Sequence, residues 1–123
     1  MSDDVTIRPA ESGDLPSIVA LCAAHAAYER ATLSVEGLED RLVTTLFGDP
    51  PRGWCLVAEI DGRVEAYATL TREYSTWRGA EYLHVDCVYV SAERRGRGVG
   101  RALMEAAARH PARLGTTLSL IHI

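Results

Sequence analysis

The chain has 123 residues, 47% of them apolar and 24% charged, with a net charge of −4 and a pI of about 5.5. This is the make-up of one ordinary globular domain, and its acidic balance argues against a nucleic-acid surface, which relies on clustered positive charge. The N-terminus, Met1-Ser2-Asp3-Asp4, lacks the apolar stretch of a secretory signal, and no run approaches membrane-spanning length. The expected location is therefore the cytoplasm, with no membrane partner.

Val5 to Arg8 predicts a short strand closed by Pro9. Asp14 is placed to cap a helix that tolerates Pro16 in its first turn. Leu15, Ile18, Val19, Cys22 and Ala26 recur at helical spacing, so this helix should run to about Tyr28. A second helix is expected from Ser34, with Leu38, Leu42 and Leu46 on one stripe, ending at Gly48-Asp49-Pro50-Pro51. Trp54 to Ile60 is nearly all apolar and reads as a buried strand. Asp61-Gly62 is a hairpin turn signal, and Arg63 to Arg72 returns as the antiparallel partner. After Gly79, Tyr82 to Val90 is the clearest strand of the chain. A loop over Ser91 to Arg97 leads into a helix from about Gly98 to His110, with Val99, Leu103, Ala106, Ala107 and His110 on its apolar side and Pro111 as its stop. Leu114-Gly115-Thr116-Thr117 approaches another strand. The expected order is β-α-α-β-β-β-α and the start of β, an α/β (α+β) fold with a mainly antiparallel sheet flanked by helices. The three cysteines, Cys22, Cys55 and Cys87, are odd in number and lack Cys-x-x-Cys spacing, so free thiols are expected and no metal site.

The segment Arg94-Arg95-Gly96-Arg97-Gly98-Val99-Gly100-Arg101 joins the clearest strand to a helix. The first N–H groups of a helix have no internal partner and point outward at the positive end of its dipole. Glycines let a ligand approach that backbone, and Arg95, Arg97 and Arg101 add charge, so a pyrophosphate fits there. The spacing is not that of a Walker loop, since no Lys-Ser or Lys-Thr follows. It is not a dinucleotide fingerprint either, since the preceding strand does not open a βαβ unit.

Arg95-x-x-Gly98-x-Gly100 resembles the Arg/Gln-x-x-Gly-x-Gly/Ala motif of the GCN5-related N-acetyltransferase superfamily (GNAT). The resemblance covers about residues 5 to 115 and is nearest to the diamine (spermidine/spermine) branch. Ile7-Arg8-Pro9-Ala10 with Asp14, Tyr28-Glu29, and Tyr74-Ser75-Thr76-Trp77-Arg78-Gly79 followed by Tyr82-Leu83 support it. It implies acetyl-CoA as cosubstrate, its pyrophosphate in the loop of Arg95, Gly96, Arg97, Gly98, Val99, Gly100 and Arg101. It further implies a pantetheine arm along the backbone of Val88, Tyr89 and Val90, and an acceptor site shaped by Tyr28, Glu29 and Trp77. Asp86 falls where the branch commonly carries glutamate, a departure that keeps the charge and shortens the reach. The resemblance also implies a homodimer, and a further strand, helix and two strands beyond this helix.

Strict alternation along the clearest strand puts Leu83, Val85, Cys87 and Tyr89 on one face and Tyr82, His84, Asp86, Val88 and Val90 on the other. Buried charge is costly unless paired, so the face with His84 and Asp86 is expected to meet a cleft. The reaction expected is attack of a neutral amine on the acetyl thioester, with Asp86 or His84 taking the proton and Glu29 holding the incoming cation. No metal or cysteine nucleophile is needed. The substrate expected is a primary amine of a small cationic acceptor, a polyamine or an amino-acid-like amine. Two other readings share these residues: a non-catalytic coenzyme-A-binding or regulatory module, and an interaction protein. The last six residues, Leu118 to Ile123, can be read as the translation of a transposon-end sequencing adapter. On that reading residues 1–117 are an incomplete domain, 118–123 a non-native tail, and the chain by itself inactive.

Overall fold

The computed structural model describes residues 4–110 and 117–120. Five strands form one sheet in the order β1-β2-β3-β4-β5: β1 (Val5–Pro9), β2 (Gly53–Ile60), β3 (Arg63–Ser75), β4 (Ala80–Val90) and β5 (Thr117–Leu120). The first four are antiparallel, and β5 runs parallel to β4. Helices α1 (Leu15–Tyr28) and α2 (Leu38–Phe47) cover one face, and α3 (Val99–Ala108) covers the other. The order and class match the sequence reading. Pro111 and most of the approach to β5 lie outside the described residues, as do 121–123.

The Asp61-Gly62 turn has positive φ at both residues (52° and 81°), the geometry whose twist suits a two-residue hairpin. Asp14 begins α1 but gives its carboxylate elsewhere. Arg8 donates to it twice (2.7 and 3.0 Å), and so does the Glu11 N–H (2.8 Å). The second helix starts at Leu38 and not at Ser34, because Gly37 takes a left-handed conformation (φ 74°) ahead of it. Strands β3 and β4 extend past their expected ends to close on a turn over residues 76–79.

One core, packed under α3, comprises Leu56, Ala58, Ile60, Ala66, Ala68, Leu70, Leu83, Val85, Val99, Leu103 and Ala107. The other, under α1 and α2, includes Ile18, Leu21, Leu46, Cys55, Val57, Tyr67 and Tyr89. Two residues break the register between strands. On β3, Ala66 pairs with Ala58 and Val64 with Glu59, leaving Glu65 as an extra residue. On β4, Cys87 pairs with Thr69 and Val85 with Leu70, leaving Asp86 as an extra residue. An inserted residue shifts the side-chain phase by one. Val88 and Val90 therefore pack with Leu83 and Val85 on the α3 core, while Cys87 and Tyr89 join the α1 core. The face assignment from unbroken alternation fails at this point, and the bulge is the reason.

Candidate active site

The loop after β4 is held from behind. The Ser91 N–H donates to the Glu65 carbonyl (2.9 Å), and Arg94 donates through Nε to Glu65 (2.9 Å) and through a terminal nitrogen to Asp61 (3.3 Å). The β3 bulge and the hairpin turn thus anchor Arg94, whose side chain is largely buried, so it braces the loop and does not face a ligand. Gly96 and Gly98 sit at φ 79° and 80°, where side chains are strained, and a Cβ on either would meet only open space. Gly98 is the residue before the first turn of α3. The first intrahelical bond runs from the Ala102 N–H to the Gly98 carbonyl (3.0 Å), so the N–H groups of Val99, Gly100 and Arg101 precede the ladder. Arg97 and Arg101 are exposed on the same loop and turn.

Arg95 leaves the loop in the other direction. Its Nε donates to the Val90 carbonyl (3.0 Å), and its guanidinium lies over Tyr28 (4.4 Å) and Tyr89 (5.2 Å). With His25, Glu29, Val88 and Val90 these groups line a cleft of about 230 Å³. A second cleft, of about 390 Å³, shares His25 and Glu29 and is lined by Cys22, Tyr67, Asp86, Cys87 and the segment after α1. The bulge turns Asp86 into this second cleft, where its side chain is 57% exposed. His84 Nε2 lies 3.9 Å from Asp86 Oδ1, and His84 Nδ1 is buried without a hydrogen-bond partner among the described residues. Beside β4, β5 pairs only Tyr82 to Val85, so among the described residues no strand pairs the outer edge from Asp86 to Val90.

The structure therefore brings Tyr28, Glu29, Asp86, Val88, Tyr89, Val90, Arg95 and the glycine loop to one end of β4, with His84 in mid-strand beside Asp86 and in the lining of neither of these two clefts. It does not bring Trp77, which stands fully exposed in the turn at the other end of that strand. Sequence reasoning missed His25 and Tyr67. His25 Nδ1 is 2.7 Å from the Tyr67 hydroxyl, its Nε2 is 3.4 Å from Glu29 Oε1, and its ring stacks on Tyr89 at 4.9 Å. The available signal was spacing: His25 precedes Glu29 by four residues, one helical turn on the same face. Burial raises the Tyr67 phenol far above its ordinary range and pushes the Cys87 thiol up to about 11 and the Cys55 thiol to about 12, so none of the three is a ready nucleophile. Among the described residues no group of His, Cys, Asp and Glu is arranged to hold a metal, and no helix is long and apolar enough to cross a membrane.

The profile of the Acetyltransferase (GNAT) family matches residues 18–122. A thialysine N-epsilon-acetyltransferase of Bos taurus is 34% identical over 112 residues, 85% of this chain and 65% of that protein. The spermidine/spermine N(1)-acetyltransferase-like protein 1 of Homo sapiens is 31% identical over 110 residues, 84% of this chain and 16% of that protein. The chain thus spans just under two thirds of the bovine relative's length. The solved structure of a possible acetyltransferase from Clostridium difficile 630 superposes with a TM-score of 0.80 at 24% identity, covering 97% of this chain and 80% of that one, a likeness of fold.

Proposed function

The chain belongs to the GNAT acetyltransferase family, and on that premise we propose that it carries the site of an N-acetyltransferase that moves an acetyl group from acetyl-CoA to the primary amine of a small cationic acceptor, a polyamine or an amino-acid-like amine. One observation carries this reading. Two clefts meet at the end of β4 and share Glu29, one lined by Arg95 and the Val88 to Val90 segment that leads into the glycine-arginine loop, the other by Asp86.

The residues suit a coenzyme A pyrophosphate. Open space lies over Gly96 and Gly98, N–H groups ahead of the α3 ladder face outward, and Arg97 and Arg101 supply charge. The edge of Val88 to Val90, which no described strand pairs, suits an extended amide-bearing arm. When bound, the thioester supplies an electrophilic carbonyl and a thiolate leaving group.

The protein's own groups do the rest by position and charge. Glu29 holds the ammonium end of the acceptor. An alkylammonium has a pKa of about 10, so the attacking nitrogen must lose a proton. Asp86 accepts it, and His84 beside it stabilises the carboxylate and offers a further proton site. The Val88 N–H polarises the carbonyl. The acidic rim, Glu29 and Asp86, favours cationic acceptors.

The test is a panel of cationic, neutral and anionic amines with acetyl-CoA, read by thiol release and by acetylated product. The chain contains no lysine, so side-chain self-acetylation does not confuse the count. Cationic acceptors are expected to turn over, and Gly98→Glu is expected to abolish acetyl-CoA binding by calorimetry in a folded protein. Turnover confined to neutral or anionic acceptors, or unchanged affinity in Gly98→Glu, overturns the reading.

A further inference from the structure

Glu29 follows the last residue of α1, where an exposed, 57% accessible side chain would ordinarily sample many rotamers. His25 prevents this. Its ring is 15% exposed, wedged against Tyr89 and in edge contact with Tyr67 (centroids 6.0 Å apart), so the imidazole itself has little freedom. Its two nitrogens are committed in opposite directions, one to a hydroxyl that is buried inside the sheet face and one to the carboxylate at the cleft. Burial keeps the Tyr67 phenol protonated, and its hydroxyl lies 2.7 Å from Nδ1. In the tautomer where that O–H donates to Nδ1, the ring proton sits on Nε2, facing Glu29 Oε1. The Nε2–H dipole, 3.4 Å from that oxygen, draws it inward and leaves the second carboxylate oxygen to the shared cleft.

Building on the amine-acetyltransferase reading above, we propose that His25 is a positioning residue for the acceptor, fixing the Glu29 carboxylate through a Tyr67–His25–Glu29 chain that runs from the core to the cleft. The chain prepares Glu29 before the amine arrives, so the ordering cost of that side chain is met in folding and not in binding. His25 and Glu29 line both clefts, and the arrangement serves the acceptor side, where Glu29 and Asp86 together suit a cationic amine. Arg95 faces the other cleft and is held by Tyr28, Tyr89 and the Val90 carbonyl, a group that His25 meets through its stacking on Tyr89 and not through Glu29.

Two substitutions separate the halves of this chain. His25→Gln keeps an N–H at the reach of Nε2 and loses the Tyr67 contact. His25→Asn keeps a polar atom near Nδ1 and loses the contact with Glu29. With putrescine and acetyl-CoA as probes, His25→Asn is expected to raise the amine KM by about 5-fold or more, with kcat within about 2-fold and the acetyl-CoA KM unchanged, the mark of lost uniform binding. His25→Gln is expected to restore the amine KM to within about 2-fold of the parent. An unchanged amine KM in His25→Asn, an equal rise in both KM values, or no rescue by His25→Gln overturns the proposal.

Ring-nitrogen NMR of His25 in the unmodified protein decides the same point without turnover. Nε2 should carry the proton of the neutral ring, Glu29→Gln should shift the Nε2 resonance, and Tyr67→Phe should remove the tautomer preference. A ring protonated on Nδ1, or an Nε2 resonance indifferent to Glu29→Gln, overturns the positioning role. If the ring follows this pattern while no cationic amine is acetylated, the acceptor reading fails and the His25 arrangement stands.

Discussion

Two bulges interrupt the sheet, and both insert an acidic residue. At Glu65 the inserted carboxylate is met by Arg94, with side chains 17% and 20% exposed, and by the Ser91 hydroxyl at 3.5 Å. Among the described residues, the inserted carboxylate at Asp86 is approached by His84, at 3.9 Å, and by the Cys87 thiol, which donates weakly at 3.6 Å. The described residues place no arginine against it. The backbone device is the same and the electrostatic setting differs. A carboxylate locked by a guanidinium becomes part of the framework, whereas one left with a neutral or titratable neighbour in a cleft keeps its proton chemistry available.

The comparison is sharpest at Asp86. Asp86→Asn keeps shape and removes the base, so kcat for a cationic amine should fall about 100-fold or more while the melting temperature stays unchanged, as steady-state kinetics and thermal melts would show. Unchanged kcat would move the base to His84 or to water and dissolve the contrast. Glu65→Gln should do the reverse. Arg94 would lose its nearest carboxylate in a partly buried setting, costing about 1–2 kcal/mol in urea unfolding. Acetyl-CoA affinity should weaken through the loosened loop, with kcat near the parent value. A kcat loss matching that of Asp86→Asn would show that Glu65 is more than a brace.

The smallest effect extends the rule to the start of α1. The guanidinium of Arg8, hydrogen-bonded to Asp14, holds that carboxyl below its ordinary value of 3.8, against the opposing effect of burial and with help from the Glu11 N–H. A carboxyl depressed in the folded state stabilises fully above its unfolded value and loses that contribution as the pH falls through the folded one. Urea midpoints should therefore fall as the pH drops below about 4, and the fall should be shallower in Asp14→Asn. Equal slopes would show that the pair adds nothing to acid stability.

Much of this was legible from sequence because it rests on local signals. The Asp61-Gly62 hairpin, the apolar run of β2 and the glycine-arginine loop before α3 each need only neighbouring residues to declare themselves, and each was found. Asp86 and His84 were found as polar residues on an apolar strand. The phase of β4 beyond Asp86 was not legible, because a bulge is decided by the partner strand, here between Thr69 and Leu70. The start of α2 was missed because the left-handed Gly37 overrode a serine with good capping chemistry. Trp77 was singled out by its aromatic neighbours, whereas its distance from the clefts depends on how far β3 and β4 extend. His25 carried no motif at all, since its importance comes from Tyr67 and Tyr89 on two different strands.

The extra residue in β4 has a consequence for substitution. Position 86 belongs to neither packing pattern, so the side chain there is under no obligation to match Val85 before it or Cys87 after it. Aspartate can be exchanged for glutamate, an amide or a hydroxyl without repacking either layer. A single substitution at this position therefore changes the acid–base character of the cleft while both packed layers keep their side chains.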